Sequence, residues 1–158
     1  MWYNEIVKLI IPTKIADKAR RQAKKWFPQE AYLELIGTIS KNNKTITIFD
    51  TWIPGDLSEF TSLGQIDINP AWRKESEKYA ESIGGIVIGS IHSHPYAFKE
   101  CLNSPAYRLD PSPSSCDWDS IGDEIMGILV ICQNKEGRFT TNLRLYGPIV
   151  KLDVRYYK

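Results

Sequence analysis

The run Ile86-Val87-Ile88-Gly89-Ser90-Ile91 passes without a break into His92-Ser93-His94-Pro95. An apolar stretch of that length with no period-two alternation predicts a central strand buried on both faces. On an extended backbone, residues i and i+2 project from the same side, so both imidazoles can reach one point. They are the only two histidines in the sequence. Imidazole is a favoured zinc ligand, and a catalytic zinc usually has three protein ligands plus a water. A His-x-His pair is a weak signal by itself, because most such pairs on surface loops bind nothing.

The elements on either side supply a frame. Upstream, Asn69-Pro70 reads as a helix opening, with a helix to about Ser82 that ends at Gly84-Gly85. Residues 54–68 are irregular. Further back, Trp2 to Pro12 reads as a strand, and Thr13 can cap a helix running to about Phe27. That helix carries Ile15, Ala19, Ala23 and Trp26 on one face. Two strands follow, Leu33–Ser40 and Thr45–Trp52, joined by a turn at Lys41-Asn42-Asn43-Lys44.

Downstream, Tyr96 to Pro113 reads as a long loop, of the kind that is functional or disordered in a compact domain. Ser114 opens a short helix to about Asp123. Strands at Met126–Cys132 and Arg138–Tyr146 flank a turn at Asn134-Lys135-Glu136-Gly137, and a last strand spans Ile149–Tyr156. The order βαββαβαβββ predicts an α/β (α+β) fold: a mixed, mainly antiparallel sheet flanked by helices.

Composition narrows the classes. A chain of 158 residues suits one domain, expected here to span 1–158, and 42% apolar with 25% charged residues is ordinary for a folded soluble protein. Twenty basic and nineteen acidic residues leave a net charge of +1, so no nucleic-acid or membrane-surface partner is expected. A local patch stays open. Cys101, Cys116 and Cys132 form no CxxC pair and read as buried or incidental thiols in a reducing compartment, with a Cys101–Cys116 bridge as the lesser alternative. The short apolar run Ile6–Ile11 lacks the marks of a signal peptide and is too short to cross a bilayer, so the expected location is cytoplasmic.

A third zinc ligand must come from elsewhere in the chain. Asp117 is placed for it, but Ser114-x-x-Asp117 also matches a helix capping box, and spacing alone favours the cap. Glu34 lies between Leu33 and Leu35-Ile36, an expensive place for an acid without a partner. Either it works in a site or it points to solvent at a strand end.

His92-Ser93-His94-Pro95 followed by Pro113-Ser114-Ser115-Cys116-Asp117 resembles the His-x-His-Pro … Ser-x-x-Asp signature of the JAMM (MPN+, Mov34/PAD-1) zinc metalloproteases. That family also needs an early glutamate, commonly as Glu-x-x-Gly, which Glu34-Leu35-Ile36-Gly37 resembles. The likeness spans roughly residues 13–130 and implies a JAMM/MPN domain of cytidine-deaminase-like architecture. It implies that His92, His94 and Asp117 hold one catalytic Zn2+ with a water in its open position. Glu34 would be the general base, with Glu30 as the fallback, and Ser114 would donate to the oxyanion.

The implied substrate is the amide after the C-terminus of ubiquitin or a ubiquitin-like protein, with a non-catalytic MPN scaffold holding a structural metal as the alternative. A homodimer is left open, since exposed helices of that fold often pair. The chain departs from the family between the second histidine and the serine. Tyr96 to Pro113 is 18 residues, longer than the usual spacing, and reads as either a cleft-covering loop or a tolerated insertion. A nucleotide deaminase would need His-x-Glu and a later Pro-Cys-x-x-Cys, and neither is present.

Overall fold

The computed structural model describes residues 5–55, 61–62, 65–66, 70–96, 111, 124–147 and 150–158. In chain order the elements are β1 (Ile6–Pro12), α1 (Thr13–Trp26), β2 (Tyr32–Ile39), β3 (Thr45–Trp52), β4 (Thr61–Ser62), β5 (Gln65–Ile66), α2 (Pro70–Ser82), β6 (Ile86–Tyr96), β7 (Ile125–Gln133), β8 (Phe139–Tyr146) and β9 (Lys151–Tyr157). Seven strands form one sheet in the order β8-β7-β6-β2-β3-β1-β9, and β4-β5 is a small hairpin within the stretch expected to be irregular. The fold is α+β with a mixed sheet, as expected. Its pairings divide evenly: β1–β3, β1–β9 and β6–β7 are parallel, while β2–β3, β2–β6 and β7–β8 are antiparallel.

Burial along the strands follows from cover on both faces. The first six residues of β2 and the first eight of β7 are all buried. On one face lies α1, whose Ile15, Ala19 and Ala23 join Leu9, Leu33, Leu35, Ile48, Ile91 and Leu129 in the main core. Alanines at this contact let the helix axis approach the sheet closely. On the other face α2 sets Trp72 against Tyr32, with ring centroids 5.7 Å apart and nearly parallel planes.

Local chemistry accounts for most boundaries. At the end of α2, Gly84 takes φ +78° while its N–H donates to Glu81 O and that of Gly85 to Ala80 O, the Schellman pattern that needs a residue without Cβ. Helix α1 begins differently from expectation. Thr13 is its first residue, not its cap, and its hydroxyl donates to the Tyr157 carbonyl at 3.0 Å. That bond ties the head of α1 to β9, the strand that joins the sheet beside β1.

Strand β6 runs to Tyr96, so His92-Ser93-His94-Pro95 lies within the sheet and not in a loop beyond it. The helix expected over 114–123, and the 96–113 loop apart from Tyr96 and Pro111, fall outside the described residues. Cys132, on β7, is disulfide-bonded, which corrects its reading as a free thiol; Cys101 and Cys116 fall outside the described residues. Among the described residues no helix is long and apolar enough to cross a membrane.

Candidate metal centre

In the β2–β6 register Tyr32 faces His92 and Glu34 faces Ser90. Directly opposed residues share a face of the sheet, as do residues two apart on one strand. Tyr32, Glu34, Ser90, His92 and His94 therefore line the side covered by α2. The bond from the Ser93 N–H to the Ala31 carbonyl, 3.0 Å, closes the ladder at the Tyr32–His92 pair. Across β6, His92 and His94 pair with Ile128 and Val130, part of an apolar bed with Met126 and Cys132.

The imidazoles converge. Their Nε2 atoms lie 3.1 Å apart, with ring centroids separated by 5.0 Å. Two nitrogens at that spacing, each about 2.05 Å from a shared ion, subtend about 100° at it, close to the tetrahedral angle preferred by zinc. The pair thus fits two corners of a zinc site.

Ser93, between them, points to the opposite face and is buried. Its Oγ accepts the Ala31 N–H at 2.7 Å, so side chain and backbone of Ser93 both hold Ala31. This double attachment fixes the strand carrying the histidines against the start of β2.

Glu34 has 0% exposure and engages two neighbours through one oxygen. Its Oε1 accepts the Tyr32 hydroxyl at 2.8 Å and Nε of Arg73, on α2, at 3.0 Å. Its Oε2 has no partner among the described residues. Arg73 also forks onto Glu124, Nη1 to Oε1 and Nη2 to Oε2. The Glu124 hydrogen bond, and after it the Glu34 charge, hold the Arg73 guanidinium protonated against the opposing effect of burial. Burial first, and the Glu34 carboxylate second, push the Tyr32 phenol well above its ordinary range.

Of the residues singled out in the sequence, the structure brings His92 and His94 together. Glu34 shares their face but sits beyond Tyr32, bound to it and to Arg73. Glu30 is buried, at 8% exposure, two residues ahead of β2. Ser114 and Asp117 lie outside the described residues. Among the described residues no third His, Cys, Asp or Glu completes a metal-holding group with the pair. Sequence reasoning missed Arg73 and Glu124, which carry no local motif.

No family model matches the sequence, and neither does any curated protein. Among solved structures the chain is similar to a protein from Desulfitobacterium hafniense, at 16% identity over 94% of each chain with a TM-score of 0.58. It is also similar to a JAB1/MPN domain protein from Archaeoglobus fulgidus, at 13% identity over 96% of this chain and 97% of that one, TM-score 0.46. A protein from Salinibacter ruber matches at 14% identity over 90% and 91%, TM-score 0.47. The first likeness speaks to the fold alone, and the other two are too distant to add to it.

Proposed function

We propose that this chain is a zinc-dependent isopeptidase or peptidase of the JAMM type, hydrolysing the amide after the C-terminus of ubiquitin or a ubiquitin-like protein. The observation that carries the proposal is the 3.1 Å convergence of the His92 and His94 ε-nitrogens on one face of a central strand. His92, His94 and Asp117 would hold the ion. Zinc bound there supplies Lewis acidity toward the scissile carbonyl and lowers the pKa of water.

The remaining work falls to side chains. A general base must sit within reach of the attacking water. Glu34, on the histidines' face of the sheet, spends Oε1 on Tyr32 and Arg73 and keeps Oε2 without a partner among the described residues. We therefore assign the base to Glu34, with Glu30 as the fallback; Glu34 takes a proton from water and returns it to the leaving amine. Ser114 donates to the oxyanion as the carbonyl carbon becomes tetrahedral. A substrate tail would lie extended beside a strand, held by backbone hydrogen bonds.

Metal content and cleavage of ubiquitin and ubiquitin-like fusions decide the matter together. One zinc per chain is expected in the wild type, in Glu30→Gln and in Glu34→Gln, and none in His92→Ala or Asp117→Ala. Glu34→Gln should lower cleavage by about 10²–10⁴-fold, while Glu30→Gln keeps most of it. The reverse pattern in folded variants would move the base to Glu30. Zinc without cleavage across the panel would indicate a scaffold, and a wild type without zinc would overturn the proposal.

A further inference from the structure

Neighbouring residues in the first turn of α2 each take hold of the histidine-bearing face. Trp72 stacks on the Tyr32 ring, with centroids 5.7 Å apart. Arg73 donates from Nε to Glu34 Oε1 at 3.0 Å. The Tyr32 hydroxyl donates to the same oxygen at 2.8 Å, so both bonds converge on Oε1. Oε2 is enclosed and has no partner among the described residues. Buried polar atoms are nearly always satisfied, and one left open in a native fold calls for a reason. A carboxylate that must take a proton supplies one, because its accepting oxygen has to stay unspent.

We infer that Arg73 and Tyr32 are positioning residues for Glu34, tethering its carboxylate by Oε1 so that Oε2 is presented to the attacking water. This rests on the assignment of Glu34 as the base above. A free glutamate side chain samples several rotamers, and only a few of them put an oxygen within reach of a given water. Two donors on one oxygen fix both the place and the tilt of the carboxylate plane. The tether is itself held. Arg73 forks onto Glu124 through Nη1 and Nη2, a planar grip that sets the orientation of the guanidinium as well as its position. Trp72 does the same for the phenol by stacking on its ring. Glu124 immediately precedes β7, the strand paired with β6, so the contacts start and finish in the sheet that carries the histidines.

Steady-state kinetics on the full chain test the inference, with a ubiquitin or ubiquitin-like fusion that the wild type cleaves. Arg73→Met should lower kcat about 10- to 100-fold and Tyr32→Phe somewhat less, with KM and zinc content unchanged in both. Arg73→Lys retains a donor for Oε1 and should recover part of the loss. The decisive comparison repeats Arg73→Met and Tyr32→Phe in a Glu34→Gln background. There they should cost little further, since both act through that carboxylate. Because Arg73→Met can also weaken the fold, Tyr32→Phe, which keeps the stacked ring and removes one hydroxyl, carries the test independently. An unchanged kcat in Tyr32→Phe, or an equal loss with and without the Glu34 carboxylate, overturns this inference alone. A wild type that neither binds zinc nor cleaves overturns the proposed function and this inference with it.

Discussion

Nε of Arg73 lies 3.0 Å from Oε1 of Glu34, joining the partly exposed first turn of α2 to a carboxylate fully enclosed in β2. Such a carboxylate is stable only while its partner is present. Breaking a fully buried pair costs about 3–5 kcal/mol, and the 34% exposure of Arg73 reduces that to about 2–3 kcal/mol for Arg73→Met. Glu34→Gln leaves no buried charge and should cost about 1 kcal/mol. Urea denaturation of the two variants gives the comparison. Equal losses would mean that the ion pair is worth no more than a neutral hydrogen bond.

Tyr32 gives the fold an alkaline limit. Burial and the adjacent Glu34 charge raise its folded pKa above the unfolded value near 10. Below pH ~10 both states keep the proton and the contribution is fully present. Above it the unfolded chain ionises while the fold does not, so stability falls with rising pH by about 1.4 kcal/mol per unit. Tyr79 and Tyr156 are raised too and act with the same sign, so the difference between wild type and Tyr32→Phe isolates one group. Over about pH 10 to 11.5 the variant's stability should decline less steeply by one proton; parallel slopes would refute it.

Much of this architecture is written locally. The apolar run 86–91, the Pro70 helix start and the Gly84 cap each follow from a few adjacent residues, and the structure places β6 and α2 there. Long-range pairings are not written that way. Nothing near Glu34 announces Arg73, 39 residues later, so the ion pair that holds this buried acid cannot be read from the apolar strand around it. The place of Tyr32 opposite His92 likewise depends on strand register, which emerges only once β2 and β6 are aligned. Thr13 reads as a cap because its true acceptor, Tyr157, stands 144 residues away.

Gly89 is held to its identity by the neighbouring strand. A Cβ there would lie 1.9 Å from the carbonyl oxygen of Ile125, its register partner on β7. Backbone cannot yield as a flexible side chain does, so Gly89→Ala must part the two strands just below the histidines. We expect a loss of about 3 kcal/mol or more, or failure to fold. Gly55→Ala, whose Cβ would meet nothing within 4 Å among the described residues, is the control and should melt close to wild type. A Gly89→Ala protein with an unchanged melting temperature would show that the β6–β7 spacing is not as tight as described.

Ser93, between the two proposed histidine ligands, joins β6 to the head of β2. Its Oγ receives the Ala31 N–H at 2.7 Å, in a position closed to solvent, and alanine there leaves that donor unsatisfied. The cost should be about 1–3 kcal/mol, with faster amide exchange at Ala31 as its local sign. The consequence for chemistry is selective. His92 and His94 belong to β6 and keep their spacing, so zinc is retained. Ala31 leads into β2, which carries Glu34, so the placement of the proposed base against the histidines loosens and kcat falls more than zinc affinity does. Loss of zinc in step with activity would instead mean that Ser93 holds the histidines themselves, and unchanged exchange at Ala31 would mean that the hydroxyl is not its acceptor in solution.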